Sequence, residues 1–212
     1  EREGVVDIRA LTASYWPRLG KLLLVGKCRI KSAAQSLTAE KLDIQLTGEQ
    51  KLRLATAVGR VVFKSADVVT EGDRLSLEFD PEQGRVLSFR LAAKTGQRAL
   101  YRRGPGAGAQ ILRARLITGV LAPESRPDEM LLQRLEATGD IQIEWREAGI
   151  DKVKADHLTG VSHSGLQFEE LAFKGQVELV RQSGEGRETI QSEELRLILA
   201  PGALLQQLIA RN

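Results

Sequence analysis

Gly59-Arg60-Val61-Val62-Phe63, followed by Gly72-Asp73-Arg74-Leu75-Ser76-Leu77-Glu78-Phe79, carries the pattern on which the fold turns. From Leu75 to Phe79 apolar and polar residues alternate strictly, the period of a strand with one face buried and the other in water. The same alternation runs through Leu42-Asp43-Ile44-Gln45-Leu46, Ile141-Gln142-Ile143-Glu144-Trp145, Val177-Glu178-Leu179 and Leu195-Arg196-Leu197. Turn-forming clusters separate the runs: Thr47-Gly48-Glu49, Glu71-Gly72-Asp73, Asp80-Pro81-Glu82-Gln83-Gly84 and Gln182-Ser183-Gly184-Glu185-Gly186. Many short strands at regular spacing predict an all-β chain folded as an antiparallel meander, sandwich or roll.

Working outward, the quoted stretch proves to be one copy of an internal repeat. A glycine opening a short alternating strand recurs at Gly26-Lys27-Cys28-Arg29-Ile30, Gly139-Asp140-Ile141-Gln142-Ile143 and Gly175-Gln176-Val177-Glu178-Leu179. After each comes a small or polar residue, an acid and a leucine strand: Ala39-Glu40-Lys41-Leu42, Gly72-Asp73-Arg74-Leu75, Ala155-Asp156-His157-Leu158 and Ser192-Glu193-Glu194-Leu195. The glycines lie 33 residues apart in the first pair and 36 in the second; glycine-to-leucine distances are 16, 16, 19 and 20. Each unit is predicted to be strand, turn, strand, stacked on the next because one hairpin cannot bury its apolar face alone. The glycine permits a bulge or sharp bend where the sheet curves, and the acid suits a turn.

The composition is that of a globular protein: 212 residues, 42% hydrophobic and 28% charged, with aromatics at only 4%, so aliphatic side chains must supply the core. A net charge of +3, from 31 basic against 28 acidic residues, does not mark a nucleic-acid binder. One cysteine, Cys28, rules out an internal disulfide or a cysteine-based zinc site and reads as a small buried hydrophobe. No apolar run approaches a membrane-spanning length. The start, Glu1-Arg2-Glu3, shows no signal-peptide pattern and reads as a trimmed chain, leaving an upstream signal or anchor open.

Two stretches break the pattern. Arg102 to Ala109, rich in glycine, reads as a flexible insertion dividing the chain near its middle, and Ala122 to Asp128, with Pro123 and Pro127, as a second connection. In the tail, Leu204, Leu205, Leu208 and Ile209 have helical spacing after Pro201-Gly202, which predicts a short C-terminal helix over 203–210.

Ala57-Val58-Gly59-Arg60-Val61-Val62-Phe63 with Thr70-Glu71-Gly72-Asp73-Arg74-Leu75, Leu37-Thr38-Ala39-Glu40-Lys41-Leu42, and Glu136-Ala137-Thr138-Gly139-Asp140-Ile141-Gln142-Ile143 resemble the OstA-type repeat of the LptA and LptC lipopolysaccharide-export group. The resemblance covers about residues 20–92 and, more weakly, 132–199. It implies a single antiparallel β-jelly roll over 1–212, open along one side (a β-taco), lying in the periplasm. Its interior would shield the acyl chains of lipopolysaccharide, and its edges would join other Lpt-type rolls or further copies of the chain.

Within such a roll, alternation turns Ile30, Leu42, Ile44, Leu46, Val61, Phe63, Leu75, Leu77 and Phe79 inward in the first half. Ile141, Ile143, Trp145, Phe168, Phe173, Val177, Leu179, Leu195 and Leu197 turn inward in the second. These are the expected lipid-lining residues, although a plain β core requires the same set. Arg60, Lys64 and Arg74 are candidates to meet lipid phosphates or else ordinary solvated positions.

Catalytic signals are weak. His157 beside Asp156, and His163 between Ser162 and Ser164, stand outside any hydrolase or zinc-protease motif. Gly104-Pro105-Gly106-Ala107-Gly108 lacks the Lys-Ser/Thr of a phosphate loop. The expectation is a non-enzyme without cofactor or metal. The competing reading is a structural or adhesive β-repeat protein that assembles by edge pairing and carries no ligand.

Overall fold

A computed structural model describes residues 7–32, 35–65, 67–104, 109–121, 131–145, 149–162, 168–183, 186–200 and 204–212. Fifteen strands follow one another: β1 (Asp7–Arg9), β2 (Thr12–Trp16), β3 (Lys21–Lys31), β4 (Ser36–Leu46), β5 (Leu52–Lys64), β6 (Val68–Phe79), β7 (Val86–Ala92), β8 (Ala99–Arg103), β9 (Gln110–Ala114), β10 (Leu116–Leu121), β11 (Leu132–Trp145), β12 (Ile150–Val161), β13 (Glu170–Ser183), β14 (Gly186–Ala200) and β15 (Leu204–Arg211). A 3-10 turn, Pro17–Leu19, joins β2 to β3. All the strands belong to one antiparallel sheet, in the main order β1-β3-β4-β5-β6-β7-β10-β11-β12-β13-β14-β15.

The long strands each serve two arms of that sheet. β6 pairs through Arg74–Phe79 with β7 and through Val68–Glu71 with β8. β11 likewise pairs through its first half with β10 and through Gln142–Glu144 with β9. One arm therefore runs through β7 and β10, the other through β8 and β9, and the strands on either side cross from one arm to the other.

The crossing line is made by the repeat. Gly26-Lys27, Gly59-Arg60, Gly139-Asp140 and Gly175-Gln176 all have positive φ at both residues, 76° to 81° at the glycines and 43° to 51° at the residues after them. Two consecutive left-handed residues in a strand turn it sharply, and the ladder shifts register at each site, between Val25 and Cys28, Val58 and Val61, Thr138 and Ile141, and Lys174 and Val177. Glycine accepts this conformation at no steric cost. The sheet folds over along this line, and the aliphatic faces of the two arms meet as the core.

Across each bend lies the acid of the second repeat element. The sequence reading puts these acids in turns, and the structure corrects it. Glu40, Asp73, Asp156 and Glu193 lie inside β4, β6, β12 and β14, facing the bulges. The core face changes parity there. In β4 the buried residues are Ala39, Leu42 and Ile44, while Glu40 and Lys41 are both exposed. Glu71-Gly72-Asp73, read as a turn, is thus mid-strand, whereas Thr47-Gly48-Glu49 and Asp80 to Gly84 do separate strands. In the latter turn Oδ1 of Asp80 accepts backbone N–H bonds from Glu82 and Gln83.

One further expectation changes, in the tail. The strands flanking the glycine-rich stretch, β8 and β9, pair with each other, Arg103 facing Gln110; residues 105–108 lie outside the described set. The second connection, Ala122 to Asp128, also lies outside it. The C-terminal segment is a strand, β15, paired with β14, not a helix. A register shift between Ile198 and Leu199 lets Leu205 and Leu208 share the core face, so a bulge produces the three-residue spacing that reads as helical.

Candidate functional site

In-register pairing lines the apolar residues up into rows that run across the strands. On one arm Leu22, Ile44, Ala55, Leu77, Phe89, Gly119, Leu135, Gly160, Leu171, Leu197 and Leu208 are successive partners from β3 to β15. On the other arm the row is Ile8, Ile30, Leu37, Phe63, Thr70, Tyr101, Leu112, Ile143, Val153, Leu179 and Ile190. With strands about 4.8 Å apart, each row spans about 50 Å. An apolar track therefore lies along the whole length of the fold, between the arms.

The residues singled out from alternation all face this interior. Leu42, Ile44, Val61, Phe63, Leu75, Leu77, Ile141, Ile143, Trp145, Phe168, Phe173, Val177, Leu179, Leu195 and Leu197 are buried, and Ile30, Leu46 and Phe79 are half-buried against them. The two halves of the track differ in how well it is filled. Between β3–β6 the arms leave a cleft of about 210 Å³, in whose wall Ile30, Leu42, Ile44, Phe63, Leu77 and Phe79 come together. In the second half the space beside Ile143, Trp145 and Phe168 is only about 30 Å³.

Side-chain size contributes to the difference: Ala55 lines the first cleft, whereas Trp145 and Phe168 line the smaller space in the second half. The sequence reading missed Leu37, Leu52 and Ala55, which also line the cleft, and its polar edge, Ser32, Gln35 and Ser36. Leu37 lies within a quoted repeat stretch and could have been found from the parity of β4. Ala55 gives no such signal, because an alanine contributes to a hollow by what it lacks.

The middle of the track is closed by aromatics. The rings of Phe89 and Tyr101 stack at 6.1 Å with 6° between their planes. Gly119 leaves the space that the Phe89 ring occupies. The Tyr101 hydroxyl is buried without a hydrogen-bond partner, as is that of Thr70, its partner across the ladder. Burial pushes the Tyr101 hydroxyl pKa well above its ordinary value of 10.0.

The charged candidates fall elsewhere. Arg60 sits on the fold line and donates to Glu40 at 2.9 Å; Arg74 is exposed beside Asp73 on the same line. Lys64 ends β5, opposite Ser36 of the cleft wall. Asp156 and His157 are exposed on β12, and His163 lies outside the described residues. Cys28 is buried, its Sγ 3.6 Å from the Glu40 carbonyl oxygen. Among the described residues no three His, Cys, Asp or Glu side chains gather as a metal site would require, and no helix is long and apolar enough to cross a membrane.

No family model matches the sequence, and no curated protein matches it. Among solved structures the chain aligns with LptH of Pseudomonas aeruginosa, described as the LptA homologous periplasmic component of the conserved lipopolysaccharide transport device. The TM-score is 0.42, with 11% identity over 89% of this chain and 96% of LptH. Likeness at that level transfers no ligand or role.

Proposed function

We propose that this chain is a lipid-carrying module of lipopolysaccharide transport, a single β-roll over 1–212 that shields acyl chains between its arms and does no chemistry of its own. The observation that carries the reading is the cleft: about 210 Å³ of unfilled space among apolar side chains between β3 and β6. Each methylene moved there from water contributes about 0.8 kcal/mol, so acyl chains bind without any directed bond. Lipopolysaccharide as the lipid, and the periplasm as the compartment, rest on the OstA-type resemblance of the repeats. Partner rolls, or further copies, would pair with the sheet ends at β1, β2 and β15, which are edge strands.

Photocrosslinking to lipopolysaccharide from probes at Phe63 or Leu77 tests the proposal, with outward-facing Glu78 as control. Crosslinks from the inward sites but not from Glu78 are expected. Their absence would favour a structural β-repeat protein that assembles without a ligand, a reading to which the close packing around Trp145 and Phe168 lends support.

A further inference from the structure

The cleft ends at a wall with a composition of its own. On one arm the inward row beside it reads Ile44, Ala55, Leu77 and then Phe89; on the other it reads Leu37, Phe63 and then Thr70 and Tyr101. Leu77 and Phe63 are the last members of these rows to line the hollow. The next ring on each arm meets the other across the gap. Phe89 and Tyr101 are both buried and lie nearly parallel, with centroids 6.1 Å apart. Gly119 follows Phe89 in its row and has no side chain, and the Phe89 ring takes that space. Beyond the pair, Tyr101 is part of the wall of the second, much smaller hollow, together with Leu112, Leu135 and Ile143. The two rings stand between the hollows as a partition.

A straight apolar chain lying along the rows gains burial with each methylene until it meets that partition. The polar part of the cleft, Ser32, Gln35 and Ser36, lies around the β3–β4 turn, at the end away from the rings. A chain whose head stays there points its methyl terminus at Phe89 and Tyr101. Past Phe63 the wall is no longer wholly aliphatic either, since the hydroxyls of Thr70 and Tyr101 are buried there without partners. Methylenes in excess of the space remain in water, where they add nothing to affinity.

We propose that Phe89 and Tyr101 form the stop that sets how long an acyl chain the cleft accepts, which makes them specificity-determining residues of the lipid site; this rests on the lipid-carrier reading and adds to it the class of chain that fits. From β4 to the strands of the two rings is three inter-strand steps, about 14 Å, which an extended chain of about ten to twelve carbons spans. The site therefore takes straight chains of medium length.

Isothermal titration of the full chain with saturated straight-chain fatty acids of about six to about fourteen carbons, kept below their micelle concentrations, tests the stop. Affinity should rise about fourfold with each added methylene and level off near about twelve carbons. Phe89→Ala removes one ring and should carry the rise on by about two carbons or more. Tyr101→Leu keeps an apolar side chain in the core and should move the limit in the same direction, so the test does not depend on Phe89→Ala folding. Phe168→Leu alters the second hollow, beyond the partition, and should leave the limit where it is, which controls for loosened packing. A limit unmoved by both ring variants, one moved equally by Phe168→Leu, or no limit within the series would overturn the stop and leave the carrier reading in place. Failure of the wild type to bind any of the fatty acids would overturn the carrier reading and the stop with it.

Discussion

Gly59 and Glu40 face each other across the fold line so closely that a Cβ built on Gly59 would stand 2.5 Å from Oε2 of Glu40 and 2.8 Å from its Cβ. The neighbouring Arg60 donates to the same carboxylate at 2.9 Å. Gly175 repeats the arrangement with Asp156, whose Oδ2 would lie 2.6 Å from an added Cβ. The glycine is needed twice over at these sites, for its left-handed backbone and for the acid standing where a side chain would be.

Gly59→Ala should therefore cost about 1–3 kcal/mol, since φ is +81° and the neighbour must also shift. Gly48→Ala is the control, because an added Cβ there has nothing within 4 Å. Urea denaturation of the two variants checks the difference. Equal midpoints would mean that the fold line is not under steric constraint.

The cleft makes a prediction about two alanines on one strand. Ala55 lines the cleft, whereas Ala57 is 1% exposed and flanked in register by Leu42 and Leu75. Ala55→Phe should change stability by less than about 1 kcal/mol and abolish any lipid crosslink from Phe63. Ala57→Phe should overpack the core and cost about 1–3 kcal/mol. Thermal melts and the crosslinking assay read both effects.

Tyr101 predicts an alkaline limb in the stability profile. Burial raises its pKa in the folded chain above the 10.0 of a free tyrosine, with the charge of Arg103 pulling less strongly the other way. Above about pH 10 the unfolded chain releases this proton and the folded chain keeps it. The unfolded state then binds fewer protons, and stability falls as pH rises, by about 1.4 kcal/mol per unit from this residue. Tyr101→Phe should remove that part of the slope. Near neutral pH it should be at least as stable as the wild type, because it deletes a buried hydroxyl without a partner. Urea midpoints at about pH 8 and about pH 11 make the comparison.

Cys28 is 3% exposed, and burial pushes its thiol pKa up, away from the reactive thiolate. Titration with a thiol-reactive disulfide should show no reaction in native buffer and full reaction in denaturant. Rapid labelling of the folded chain would mean that the edge beside β3 opens.

Much of this architecture is legible from period alone. A strand points alternate side chains to opposite faces, so Leu42, Ile44, Leu75, Leu77, Ile141 and Ile143 could be assigned to the interior without coordinates. The recurring Gly-X pairs likewise announced a bend. The acids opposite them were misread because a carboxylate next to a small residue has the same local chemistry in a turn as beside a bulge on the neighbouring strand. The tail was misread for a related reason. Leu205 and Leu208 reach one face through a bulge that exists only because β14 is there to pair with, and a single segment cannot announce its partner.

By itself, then, the sequence determined that this is a repeated, all-β chain and which side chains face inward, because both follow from local period and from glycine's backbone freedom. Only the tertiary structure decided where the interior is hollow. That depends on how the volumes of side chains from two arms sum across the gap: Ala55 and its neighbours leave a cleft near β3–β6, whereas Trp145 and Phe168 leave little space in the second half.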